Sequence, residues 1–292
     1  MELFTINADI ASVYSLAFQQ NQYPLITSLE LQAIQLDDAS ESEHQIYRDI
    51  KVELTTEDGI FSPLEWHIDS IESGHTQLLP KQLPKVSYEY LQQLTEQVTV
   101  YLTFNVFLNN ELAGTEKVAV DILPKNFWGG ETRMAELLAA FSCLNASYVT
   151  EVIKLASDQL KAAGKGSELN GYQSQTRERP YLMAAAIWNV ISSSNISYVT
   201  PPSSFAYSGQ RVRLPDEIKS TGIAACLDLS LLFSACLEHV GLNPIIAVTK
   251  DHACCGFWLI DECFPLLTND DPMDIRKRIA AKDLVLFETT LA

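Results

Sequence analysis

Between positions 98 and 108 the sequence alternates. Val98, Val100, Leu102, Phe104, Val106 and Leu108 are apolar, and Thr99, Tyr101, Thr103 and Asn105 lie between them. A period of two puts one face of a β-strand in a core and leaves the other wet. Asn109-Asn110 supplies a turn, and residues 117–123 return as a second strand, which makes a hairpin. Residues 25–36 and 47–55 are further strands, with breaks at Asp37-Asp38 and Asp58-Gly59. Residues 87–95 read as a short helix. Several short strands with no sustained helical period predict an antiparallel, immunoglobulin-like β-sandwich over residues 1–123.

Pro124 opens a different regime. Residues 131–141, 146–163 and 180–192 carry Ala, Leu and Ile at helical spacing. Gly164-Lys165-Gly166-Ser167 is a helix stop. Pro201, Pro202, Gly209 and Pro215 make residues 198–215 extended and irregular. A helix over 224–240 ends at Gly241, followed by strands at 244–248, 253–260 and 284–289 and a short helix at 272–281. The expected second domain, residues 124–292, is α+β. A chain of 292 residues with 47% hydrophobic content has room for two cores.

Charge and cysteine use narrow the function. Lys and Arg number 20 against 37 Asp and Glu, a net charge of −17. Neither nucleic acid nor an anionic membrane attracts such a surface, and the densest basic run is Arg276-Lys277-Arg278. The start, Met1-Glu2-Leu3-Phe4-Thr5, lacks the pattern of a signal peptide, and no apolar run is long enough to span a bilayer. The six cysteines (143, 226, 236, 254, 255, 263) are too few for a disulfide scaffold, so free thiols and a cytoplasmic location are expected. No phosphate-cradling GxxxxGK[ST] loop is present, and Trp128-Gly129-Gly130 reads as a junction turn.

The chemistry gathers in the second half. Cys226 lies in the first turn of the 224–240 helix, with Ser220 or Thr221 as caps. The N–H groups and positive dipole end there favour a thiolate nucleophile. His252 opens a strand and is the base candidate. Glu288, alone in an apolar strand, needs a partner, and the imidazole provides one. Asp261 is the runner-up acid, and Asp228 reads as a local cap or pair. Cys236 reads as core, and His239 as a helix-end cation. His44, His67 and His75 fall in the β domain. A zinc site from His252, Cys254, Cys255 and Cys263 is disfavoured, because neighbouring Cys254 and Cys255 point to opposite faces of a strand and no CxxC pair exists. No metal and no cofactor are expected.

Specific runs carry a resemblance. They are Cys226-Leu227-Asp228-Leu229-Ser230-Leu231-Leu232-Phe233, Gly241-Leu242-Asn243-Pro244, His252-Ala253 and Gly256-Phe257-Trp258-Leu259. Upstream, Trp128-Gly129-Gly130, Gly171-Tyr172-Gln173, Tyr198, Pro201-Pro202-Ser203-Ser204-Phe205, Gly209-Gln210-Arg211-Val212-Arg213 and Ala17-Phe18-Gln19-Gln20-Asn21 extend it. Together they resemble the N-terminal region of large bacterial superfamily-one helicase proteins, a β-sandwich followed by a transglutaminase-like (papain-like) core. That resemblance implies Cys226 as nucleophile, His252 as base and Glu288 as acid. Gln210 is read as pinning the Pro-rich segment, with an oxyanion role as the alternative. The family has Gly-Thr before the cysteine and Gly before the histidine, where this chain has Ala224-Ala225 and Asp251. The family also has Phe-Val where Cys254-Cys255 stand.

Two functions are weighed. One is a cysteine hydrolase acting on an amide or isopeptide bond of a protein or peptide. The other is a catalytically silent module that binds a protein partner or the helicase part of a longer chain. In both, the chain is a piece of a larger protein, and this piece does not itself hold nucleic acid or membrane.

Overall fold

The computed structural model describes residues 2–35, 45–57, 59–203 and 205–290. Leu36, Asp37, Asp38, His44, Asp58 and Ser204 lie outside the described residues. The protein is mixed α+β and forms two compact units, Met1–Lys125 and Asn126–Ala292. Among the described residues, no helix is long and apolar enough to cross a membrane.

The first unit holds β1 (Phe4–Ile10), β2 (Val13–Tyr14), α1 (Leu16–Gln20), β3 (Ile26–Ala33), β4 (Ile46–Thr56), β5 (Leu64–Glu72), β6 (Thr76–Leu78), α2 (Tyr88–Gln93), β7 (Val98–Leu108) and β8 (Glu111–Ile122). One sheet runs β2-β8-β7-β4-β5 and the other β1-β3-β6. The alternation in β7 does what its period requires: Val100, Leu102, Phe104 and Val106 are buried. They share a face with Ile50, Val52 and Leu54 of β4. Asn109 and Asn110 both take positive φ, which a tight hairpin with the strands' own twist demands. β8 begins six residues before the predicted strand, because Glu111 pairs directly with Leu108. The two sheets meet where Phe4 packs edge-on against Tyr47 at 5.1 Å. Gly114 admits that approach, since a Cβ there would sit 2.5 Å from the Phe4 carbonyl oxygen. Strands β1, β2, β5 and β6 are additional to those read from the sequence.

The second unit contains β9 (Phe127–Trp128), α3 (Glu131–Met134), a 3-10 turn (Glu136–Phe141), α4 (Ser147–Ala162), α5 (Glu178–Ser192), β10 (Ser197–Tyr198), α6 (Phe205–Ser208), β11 (Gln210–Arg211), α7 (Pro215–Thr221), β12 (Ile223–Ala224), α8 (Cys226–His239), β13 (Pro244–Thr249), β14 (His252–Trp258), α9 (Pro272–Ala280) and β15 (Leu284–Phe287). Every residue of α8 from Cys226 to Leu237 is buried. A helix apolar on all sides belongs in the middle of a domain. Here α4, α5 and the antiparallel sheet β13-β14-β15 surround it.

Helix α7 corrects the expected cap of α8. Pro215 starts α7, and Gly222, at φ +67°, ends it. Ser220 and Thr221 therefore close α7 and turn their hydroxyls to the Glu217 carbonyl, at 3.0 and 2.8 Å. The N-cap of α8 is Ala225, which has no side-chain oxygen.

Candidate active site

Cys226 is the first residue of α8 and His252 the first residue of β14. Glu288 immediately follows β15, the neighbour of β14. The three residues thus lie at element ends, on parts of the fold that pack together. Antiparallel pairing sets Cys255 opposite Phe287 and so carries His252 past the end of β15 toward Glu288. His252 Nε2 lies 2.7 Å from Glu288 Oε2.

The other carboxylate oxygen of Glu288 accepts the Thr290 N–H and the Thr290 hydroxyl, each at 2.8 Å. Burial pushes this carboxyl up. The Thr290 hydrogen bonds and the His252 contact outweigh that and leave it below its ordinary value. An ionised carboxylate only accepts, so Nε2 carries the proton of a neutral His252 and Nδ1 keeps the lone pair. That leaves Nδ1 as the basic nitrogen.

Cys226 is wholly buried. The backbone N–H groups of Ala253 and Leu227 and the Tyr198 hydroxyl lie close enough to favour its anion. Ala253 directly follows His252 in the chain, but among the described residues no hydrogen bond joins the Cys226 sulfur to a His252 ring nitrogen, whose bonded partner is Glu288. Burial pushes the thiol up, and those donors recover only part of the shift. The net direction corrects the expectation from the helix dipole: at this site desolvation exceeds what the helix start supplies, and the resting group is a thiol.

A second set of contacts fixes the helix start. Ser230 Oγ donates to the Cys226 carbonyl at 2.8 Å and lies 3.3 Å from Thr289 Oγ1. This ties the first turn of α8 to the residue after Glu288. Asp228 is fully buried and accepts from Ala225 N at 2.8 Å, Arg213 N at 2.9 Å and Arg213 Nη1 at 3.1 Å. Burial pushes its carboxyl up despite those donors. Asp228 therefore joins the segment bearing Gln210 to the nucleophile helix and takes no position for substrate.

Gln210 is 3% exposed, and neither atom of its side-chain amide finds a partner among the described residues. The backbone pairing of Gln210 with Trp128 holds this segment, so the side chain does not do the pinning that the sequence reading assigned to it. A buried amide with no partner costs about 1–3 kcal/mol.

Tyr198 is the residue the site reading passed over. Its strand β10 pairs in parallel with β12, which leads straight into Cys226. Burial first, then the nearby Cys226 and Glu288, push the Tyr198 phenol up. The available signal was a single aromatic before Pro201-Pro202.

Other candidates disperse. Asp261 lies beyond Trp258, at the end of β14 away from His252, and a strand of that length spans roughly 20 Å. Cys255 packs under α8 in the core, Cys254 is half-buried, and Cys263 is exposed after the strand's far end. Among the described residues no three His, Cys, Asp or Glu side chains gather as metal ligands. Cys236 is core. His239 donates to or accepts from no group at this site, its Nδ1 lying 2.8 Å from the Leu144 carbonyl. Trp128 is buried, with its Nε1 donating to the Met134 carbonyl at 2.9 Å.

No family model and no curated protein matches the chain. Among solved structures, a protein from Parabacteroides distasonis named as a "putative protease" is 14% identical, with a TM-score of 0.27. The match covers 79% of this chain and 60% of that one. So loose an overlay carries no argument about fold or activity.

Proposed function

We propose that the second unit is a cysteine hydrolase cleaving an amide or isopeptide bond of a protein or peptide. The observation that carries this reading is the His252–Glu288 contact at 2.7 Å, with Cys226 at the start of α8, the helix packed on the histidine strand. On this reading the second unit has a transglutaminase-like (papain-like) core, the first unit is an immunoglobulin-like sandwich, and both are the N-terminal part of a longer helicase-type protein.

The proton inventory closes within these residues. Cys226 Sγ attacks the carbonyl carbon, and its proton passes to His252 Nδ1. The imidazolium, held by ionised Glu288, returns that proton to the leaving amine nitrogen as the C–N bond breaks. Water then attacks the thioester while His252 takes its proton, and the thiol is restored. The Gln210 amide donates to the oxyanion in both steps. Because the resting sulfur is a protonated thiol, general-base removal of its proton accompanies the attack.

A second reading, a catalytically silent protein-interaction module, draws support from one fact: the Cys226 sulfur is completely covered. One experiment separates the two. Wild-type, Cys226→Ala and His252→Ala proteins are incubated with a panel of peptide and isopeptide amide reporters and with a peptide carrying an electrophilic warhead. The hydrolase reading expects turnover and labelling of Cys226 that both substitutions abolish. Labelling of Cys226 no faster than of exposed Cys263, with no turnover of any reporter, establishes the silent module.

A further inference from the structure

At the other end of α8 a separate cavity of about 850 Å³ opens between the 169–177 loop, the helix C-terminus and residues 259–261. Pockets of roughly 300–1,000 Å³ suit small molecules. Helix α8 rises about 20 Å from Cys226 to His239, so this cavity is distinct from the thiol site. It is built from Gly171-Tyr172-Gln173, a run the hydrolase reading leaves unused.

Its lining is rich in acceptors. Asn170 Oδ1 is buried and has no hydrogen-bond partner among the described residues. The carbonyl oxygens of Val240 and Gly241 face Gly171, and a Cβ on Gly171 would lie 2.7 Å from the Gly241 oxygen. These carbonyls are at the negative end of the α8 dipole. Asp261 adds a carboxylate whose one hydrogen bond here is a long one, 3.5 Å from Asn243 Nδ2. Two basic side chains also line it, and each has a partner: Arg177 Nη2 donates to Asp283 Oδ1 at 2.6 Å, and His239 Nδ1 lies 2.8 Å from the Leu144 carbonyl. Tyr172 is also committed, donating to the Trp258 carbonyl at 3.0 Å and accepting the Asn243 N–H at 2.9 Å.

An orphaned acceptor, an exposed carboxylate with one long hydrogen bond and helix-end carbonyls together call for a ligand with several donors and a positive charge. We infer that this cavity binds a primary alkylammonium group, whether of a small free amine or of a lysine side chain in a peptide, with Asn170 and Asp261 as its recognition residues. The site operates independently of the thiol chemistry.

The test is NMR titration of the full chain with two ammonium probes, 1,5-diaminopentane and acetyl-Gly-Lys-Gly-amide. Their neutral counterparts, 1-pentanol and acetyl-Gly-norleucyl-Gly-amide, serve as controls. Saturable shifts at the Asn170, Gly171 and Gly241 amides are expected from the charged probes alone. Response to both places the specificity in the ammonium, and response to the lysine peptide alone makes the source a protein chain. Asp261→Asn and Asn170→Leu should each weaken binding at least tenfold, while Cys226→Ala should bind as wild type. Asn170→Leu removes an unpartnered buried acceptor, so it should melt no lower than wild type and remain a folded control. Equal shifts from the neutral probes, or unchanged binding by Asn170→Leu, would overturn the assignment.

Discussion

His252 Nε2 and Glu288 Oε2 are 2.7 Å apart across two neighbouring strands, and each side chain is about one-third exposed. The pair faces outward from the sheet end while the Cys226 sulfur is covered. Nothing in the hydrophobic core depends on this contact, so its loss should be felt in chemistry before stability. Glu288→Gln is expected to slow Cys226 acylation by about 10²–10⁴-fold, because the imidazole loses the anion that fixes its proton on Nε2. Thermal melting should shift little. Stopped-flow labelling with an electrophilic peptide, paired with a melt, tests both halves.

Glu288 also sets an acid limit on stability. Its folded-state value lies below the ordinary 4.5, so its contribution is fully present above pH 4.5 and is lost as pH falls through the lower, folded-state value. Wild type should therefore lose stability relative to Glu288→Gln as pH drops below 4.5. Urea melts from pH 6 to pH 3 would show the two curves converging; parallel curves would count against the assigned direction.

The buried thiols predict the opposite limb. Burial pushes Cys226, Cys236 and Cys255 above the ordinary 9.0. The unfolded chain then releases these protons first, so stability is present below pH 9 and declines as pH rises further. Each thiol contributes a slope of about 1.4 kcal/mol per pH unit until its folded-state value is reached. Melting temperature measured from pH 7 to pH 10.5 under reducing conditions should fall above pH 9, and Cys255→Ala should flatten that fall.

Gln210→Met should separate stability from activity. Its amide atoms are buried without partners, so an apolar side chain of similar length should hold stability level or raise it by about 1 kcal/mol. Loss of an oxyanion donor should lower turnover by roughly 10²–10³-fold. A clear drop in melting temperature would mean that the amide has a structural partner.

Asp228→Ala breaks a fully buried carboxylate away from Ala225, Arg213 and the helix start, and should destabilise by about 3 kcal/mol. Chemical denaturation gives the number directly. Arg213 is partly exposed and regains water, which keeps the loss at the lower end of such cases.

Much of this arrangement was readable from residue order alone. The alternation at Val98–Leu108 and the apolar α8 declare themselves because burial dictates their periods. The partner of Glu288 was legible for the same reason, since an acid in an apolar strand needs a counterpart. Helix α7 was not, because Pro215, Ser220, Thr221 and Gly222 read equally well as a loop or as the cap of the next helix. The protonated state of Cys226 was also hidden. The helix start that lowers a thiol is visible in sequence, whereas the tertiary burial that raises it is not. Gln210 looked like a structural peg because sequence cannot show that an amide has been left without a partner.

The thiol, imidazole and carboxylate all occupy one end of the α8–sheet layer, and residues 261–273, nearly all solvent-exposed, hang from the other. Leu266 and Leu267, at 72% and 84% exposure, hold nothing in place. The stretch around Leu266 and Leu267 is consequently a splice point. An affinity tag or fluorescent protein inserted between Leu267 and Thr268 would ride on the molecule with the thiol end untouched, and reporter versions of the chain can be made there without altering its reactivity.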